Sequence, residues 1–295
     1  MNKFEDIPQT IISDVQRFSI AYDKPMVYHL KDWSFQNHFF TNFKSSANSL
    51  TVMLHGAIDR TKKPFPNYQR WSWSADIHNS VLVLNDPTLL DNKLRIGWWQ
   101  GDKDTYPLPD ACKFILLVLD KLGFTSQQLM FYGSSAGGFA SLMMAGHFKG
   151  STALVNNPQT NCLAYRQRKV TQLLRQKFAG VPKDVLFDED PTRFSVAHFY
   201  ESINYIPAIT YYQCIEDSHH YENHFQPFVQ AIYKFKPLNF EPILYHQPHG
   251  NNNPHAPLDR ATVVLIMNKA IHRMESYLQE NYDAGALFRP SIASA

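Results

Sequence analysis

Phe131-Tyr132-Gly133-Ser134-Ser135-Ala136-Gly137-Gly138-Phe139 is the stretch whose reading decides the fold. Leu129 to Tyr132 is a short apolar, aromatic run of strand type, and Gly137 to Phe148 is a small-residue-rich run that predicts a helix. Between them stands Gly-x-Ser-x-Gly, with Ser135 at its centre. Strand, sharp turn and helix are the context in which that pattern makes a nucleophile. The glycines answer a steric need, because side chains at Gly133 and Gly137 would strike the neighbouring strand and helix. The turn lifts the Ser135 hydroxyl above the sheet, to the start of the next helix. There the Ala136 amide and the helix dipole face a developing oxyanion. Ser134 occupies an x position and should point elsewhere. The bland reading is a glycine-rich turn with no chemistry.

Outward from this stretch, strand and helix alternate. Leu50–Leu54, Val81–Leu84, Thr152–Val155, Ile209–Ile215 and Pro242–Tyr245 read as strands. Asp110–Leu122 has helical apolar spacing with Gly123 as its C-cap, and Phe225–Phe235 and Leu258–Leu278 are further helices. The alternation predicts an α/β protein, a mostly parallel sheet flanked by helices, with its chemistry at the C-terminal strand ends. Residues 1–48, rich in aromatics, predict a strand-rich segment packed on the main body. Residues 49–282 form the main domain, with a helical excursion at about 161–207 after the sixth-strand position of such a fold. Residues 283–295 are a tail.

A serine alone is a weak nucleophile and needs a histidine base with an acid behind it. In this architecture the chain order is serine, acid, histidine. The strand ending at Ile215 leads into Glu216-Asp217-Ser218-His219-His220. Asp217 is the candidate acid and Glu216 its competitor. Asp188 and Asp190 lie in the excursion, where no strand presents them. After the last strand stand His249 and His255, and either could be the base. Pro254 and Pro257 stiffen the loop around His255 and favour it. The loop after Leu54, His55-Gly56-Ala57, should supply the second oxyanion donor from Gly56 or Ala57. His220 and His224 are spaced i, i+4, but no glutamate completes His-Glu-x-x-His, so no metal is expected.

Composition excludes other classes. The 295 residues carry 28 basic and 26 acidic side chains, a net charge of +2, which argues against a nucleic-acid footprint. Aromatics make up 14%, too many for a disordered chain. Three cysteines, Cys112, Cys162 and Cys214, form neither a CxxC nor a zinc spacing and suit a reducing compartment. The N-terminal stretch has acids and an early proline and no apolar core of a signal peptide, and no apolar run approaches a membrane span. A cytoplasmic protein is expected.

The quoted residues resemble the α/β-hydrolase fold. Within it, they resemble a bacterial capsule and surface-polysaccharide biosynthesis group represented by the meningococcal capsule O-acetyltransferase. The likeness rests on Tyr132 to Phe139, on Asn157-Pro158-Gln159-Thr160 with Tyr165, and on Glu216 to Tyr221. Asn85-Asp86-Pro87-Thr88 and Leu94-Arg95-Ile96-Gly97-Trp98 also look like that group's pattern. The resemblance implies Ser135 as nucleophile and Asp217 as acid. Where the group has Gly-Gly-His after its last strand, Gln247-Pro248-His249 stands here. It also implies acetyl-CoA as acyl donor, a polysaccharide or oligosaccharide acceptor, and association with capsule-assembly proteins. Trp98, Trp99, Gln159 and Tyr165 are then candidate substrate-binding residues. Three functions follow. The first is O-acetyl transfer to a capsular or surface polysaccharide through acyl-Ser135. The second is ester hydrolysis by the same triad. The third is a non-enzymatic accessory role in polysaccharide assembly or secretion.

Overall fold

The computed structural model describes residues 4–31, 36–90, 92–247 and 253–283. In chain order the strands are β1 (Gln9–Ile12), β2 (Met26–Leu30), β3 (Asn37–Asn42), β4 (Leu50–Leu54), β5 (Ser80–Leu84), β6 (Leu129–Ser134), β7 (Thr152–Asn156), β8 (Ala208–Cys214) and β9 (Phe240–Tyr245). The helices are α1 (Leu108–Leu122), α2 (Ala136–His147), α3 (Gln167–Lys177), α4 (Lys183–Glu189), α5 (Pro191–Phe194), α6 (Val196–Ser202), α7 (Ser218–His220), α8 (Gln226–Tyr233) and α9 (Arg260–Asp283).

The strands form one sheet in the order β1-β2-β3-β5-β4-β6-β7-β8-β9. From β5 to β9 every neighbouring pair is parallel. β3 runs antiparallel to both β2 and β5. The N-terminal strands therefore continue the sheet itself, which the irregular aromatic pattern of residues 1–48 did not reveal. β4, β5 and β6 are buried at every position, as central parallel strands covered on both faces must be. Alternate residues divide between two cores. Val52, Leu82 and Phe131 pack towards α1 and α2, whereas Met53, Val83, Met130 and Tyr132 meet Val263, Met267 and Ile271 of α9.

α2 shows why its sequence is so poor in large residues. Every position from Ala136 to Gly146 is buried. A Cβ on Gly146 would lie 2.5 Å from the Phe199 ring of α6. The excursion between β7 and β8 consists of α3 to α6. α1 ends as expected at Gly123, in the left-handed region at φ 71°. The three cysteines are buried and form no disulfide. Among the described residues no helix is long and apolar enough to cross a membrane. Residues 284–295 of the expected tail lie outside the described residues.

Candidate active site

Ser135 sits between β6 and α2 at φ 57°, ψ −123°, a left-handed geometry in which a serine is strained. Its neighbours make the turn possible. A Cβ on Gly133 would lie 2.1 Å from the Gly137 carbonyl oxygen, and one on Gly137 would lie 2.2 Å from that of Leu54. Backbone blocks both positions, so only glycine fits. Ser134 turns away, and its Oγ accepts a hydrogen bond from Arg70 at 2.8 Å.

The serine hydroxyl meets a histidine. Ser135 Oγ is 3.0 Å from His255 Nε2, and His255 Nδ1 is 2.7 Å from Asp217 Oδ2. A carboxylate only accepts, so His255 donates from Nδ1, and its Nε2 lone pair is free to take the serine proton. Burial works to raise the Asp217 pKa, but hydrogen bonds from His220 and His255 outweigh it and hold the carboxyl well below the usual range. Asp217 lies just past the C-terminal end of β8, as the strand-end rule requires. Its competitor Glu216 faces away. It is occupied by His246 Nδ1 at 2.7 Å and Gln247 N–H at 3.1 Å, and the His246 contact leads in lowering its pKa to about 2.

The loop carrying His255 is pinned at both ends. Asn253 Oδ1 accepts the His255 N–H at 3.2 Å, and Asn156 Oδ1 at the end of β7 accepts the Leu258 N–H at 2.8 Å. The rival base His249 lies outside the described residues.

Around Ser135, two backbone segments converge. Ala136 opens α2, so its N–H has no acceptor within the helix. The His55-Gly56-Ala57 loop comes close: a Cβ on Gly56 would stand 3.6 Å from Ser135 Cβ. The Gly56 N–H is, however, taken by Gln69 Oε1 at 3.2 Å. The Gln69 amide also donates to the Ala57 carbonyl at 3.2 Å, clamping the loop. Of the two expected donors, Gly56 is therefore already engaged. His55 is buried and neutral: its Nε2 accepts the Asp86 N–H at 3.0 Å, and burial is the first cause that lowers its pKa.

The expected substrate-binding residues divide. Trp98 and Trp99 are each 1% exposed and Gln159 is 0% exposed, so none offers a sugar a free face. Trp98 instead donates its indole N–H to Gln159 Oε1 at 3.0 Å, and Gln159 Nε2 donates to Ser135 Oγ at 3.0 Å. Gln159, backed by Trp98, thus stands behind the serine. Tyr165 is half-buried, with its ring 5.6 Å from Trp98 and 5.7 Å from His220. Sequence reasoning missed His220, whose Nδ1 is 3.0 Å from Asp217 Oδ1. Its signal was the i, i+3 spacing from Asp217 over one helical turn. Asp217, His220 and His255 bring three ligand-type atoms within 4.8 Å of one another, but hydrogen bonds within the site engage each of these side chains.

A variant of the capsule O-acetyltransferase of Neisseria meningitidis serogroup A, in complex with CoA, superposes with a TM-score of 0.58 at 15% identity, over 80% of this chain and 91% of that one. The fold is that of the α/β-hydrolases. An S-formylglutathione hydrolase from Agrobacterium tumefaciens matches with a TM-score of 0.56 at 13% identity, over 87% of this chain and 96% of that one. A glycosylation-associated protein complex from Streptococcus agalactiae matches with a TM-score of 0.57 at 15% identity, over 85% of this chain. This chain spans only 46% of that longer protein. No protein-family model matches the sequence. No curated protein matches it either.

Proposed function

We propose that this chain is a serine acyltransferase that moves acetyl from acetyl-CoA, through Ser135, to a hydroxyl of a bacterial capsular or surface polysaccharide. The observation that carries the reading is the ordered line from Ser135 to His255 at 3.0 Å and on to Asp217 at 2.7 Å. Ser135 Oγ attacks the thioester carbonyl while its proton passes to His255 Nε2. Amides of Ala136 and Ala57 receive the oxyanion. Collapse breaks the C–S bond, and the thiolate leaves with the proton from His255. A sugar hydroxyl then gives its proton to His255 and attacks the acyl-serine. The ester bond to Oγ breaks, and Oγ recovers the proton. Asp217 stays ionised throughout and steadies the imidazolium.

A CoA donor places the reaction in the cytoplasm. The similarity to the Neisseria acetyltransferase supports transfer. Hydrolysis is the second reading, because the His255 side chain is 26% exposed and within reach of water, and a hydrolase shares the fold.

Incubation with acetyl-CoA and capsule oligosaccharides, following free thiol, tests the proposal. Thiol release should depend on the sugar and vanish in Ser135→Ala. Sugar-independent turnover of acetyl-CoA or nitrophenyl acetate would make the chain an esterase. No turnover of either, with no labelling by a fluorophosphonate, would leave an accessory role in polysaccharide or glycoprotein assembly.

A further inference from the structure

His220 is fully buried and no step of acyl transfer calls on it. Yet it shares the catalytic acid. Asp217 Oδ2 accepts from His255 at 2.7 Å, and Oδ1 accepts from His220 Nδ1 at 3.0 Å, a nitrogen that also stands 3.0 Å from Oδ2. The two imidazoles stack with centroids 4.0 Å apart and 16° between planes. On its far side, His220 Nε2 lies 2.6 Å from Gln159 Nε2, the same amide nitrogen that reaches Ser135 Oγ at 3.0 Å. Ser135, His255, Asp217, His220 and Gln159 thus close a ring.

One group outside the ring assigns the protons of Gln159 and His220. The Trp98 indole N–H can only donate, so the Gln159 atom 3.0 Å from it is the carbonyl oxygen. The Gln159 NH2 then faces Ser135 and His220 with its two hydrogens. His220 Nε2 must therefore accept, and His220 Nδ1 must carry the hydrogen given to Asp217. Reversing the amide would set its N–H against the indole N–H and its oxygen against a lone pair of His220.

We infer that Gln159 is a further catalytic residue and His220 its positioning residue: Asp217 orients one imidazole as the base for Ser135, and the other as the support that aims a Gln159 N–H at the same Oγ. The inference rests on the Ser135 acyl-transfer reading. Its consequence is chemical. The Gln159 hydrogen occupies one lone pair of Oγ, which leaves the hydroxyl proton directed at His255. As that proton departs, the same N–H stabilises the charge growing on Oγ. It does so again when Oγ becomes the leaving group. Burial is the largest cause lowering the His220 pKa, to about 4, so at neutral pH it holds its place uncharged and does not compete as a base.

Fluorophosphonate labelling of the full chain tests this, with His220→Phe, Gln159→Met and the double variant. Each single variant should slow labelling roughly ten- to a hundredfold, the range for outer-shell support. The double variant should fall far short of the product of the two, because both act on one oxygen. Imidazole 15N NMR on the wild type supplies a readout that simple space-filling would not fix. His220 should carry its hydrogen on Nδ1 and stay neutral from pH 8 to 5. Single variants within twofold of wild type, fully multiplicative losses, or a hydrogen on His220 Nε2 would each overturn the inference. If wild type itself is not labelled, the Ser135 reading fails, while the His220 tautomer still tests the ring.

Discussion

Asp217→Asn should disable the site about as firmly as the same change in a serine protease triad, and the second histidine is what forces the outcome. Asp217 accepts two N–H groups, from His220 at 3.0 Å and from His255 at 2.7 Å. An asparagine amide offers one oxygen and one NH2, so one histidine loses its acceptor. With the oxygen towards His255, the NH2 confronts the His220 Nδ1–H. Moving that hydrogen to His220 Nε2 only shifts the clash to the NH2 of Gln159, 2.6 Å away. Each such unmet buried donor costs about 1–3 kcal/mol. With the oxygen towards His220 there is no clash, provided His255 adopts the Nε2–H tautomer. The second arrangement therefore wins, and in it His255 presents a hydrogen to Ser135 and cannot take one. The wrong tautomer lowers kcat about 10⁴-fold in serine proteases, or roughly 5.5 kcal/mol of barrier. A loss of about that size is expected here in the fluorophosphonate labelling rate, with the melting temperature as a control for folding. A rate within tenfold of wild type in a folded variant would refute the tautomer argument.

Two further outcomes follow from packing and burial. Gly137→Ala places a Cβ 2.2 Å from the Leu54 carbonyl oxygen, and because the obstacle is backbone, which cannot swing aside, the cost should reach the upper end of overpacking, about 3 kcal/mol; a thermal melt matching wild type would contradict it. Acid should destabilise the fold well before carboxylates titrate. Burial lowers His220 and His147 to about 4 from an ordinary 6.5, so the unfolded chain binds their protons first. Their contribution is whole above pH 6.5 and is lost as pH falls towards 4, at up to about 1.4 kcal/mol per pH unit for each histidine. The depressed Asp217 adds to the loss only below its unfolded value of about 3.9. Urea melts at pH 7 and pH 4.5 measure the difference, and equal midpoints would rule out the buried, neutral histidines.

Ser135 was legible because the demand on it is local. Residues within two positions of it, Gly133 and Gly137, carry the steric requirement, and the strand and helix on either side are written in plain periodicity. Asp217 was legible through a rule of place, since only one strand end offers a carboxylate after the excursion. For the histidine the sequence favoured His255 over His249 only through its flanking prolines, because no periodicity encodes the path of the loop after β9. Asn156, from β7, holds that loop 102 positions further along the chain. Gln159 and Trp98 were misjudged for a related reason. Polar and aromatic residues beside a motif read as ligand contacts, but a donor-acceptor pairing across 61 positions turns both inwards. Nothing in the sequence marks that pairing.

The same pairing explains the two upstream motifs. Trp98 and Trp99 stand at φ 52° and 60°, consecutive bulky residues in a region that ordinarily favours glycine or asparagine. Strain of about 1–3 kcal/mol for each persists only where the surroundings over-determine it. Here Asp86 Oδ2 accepts the Trp99 N–H at 2.9 Å and Thr88 Oγ1 accepts the Gly101 N–H at 2.8 Å. Gly97 permits the approach, since a Cβ there would lie 2.5 Å from Thr88 Cβ. Asn85 to Thr88 and Leu94 to Trp98 are therefore one buttress. It holds a strained turn so that one indole N–H meets Gln159, and that single donor sets which way the Gln159 amide faces Ser135 and His220. Motifs distant in the chain can thus fix the geometry around one serine.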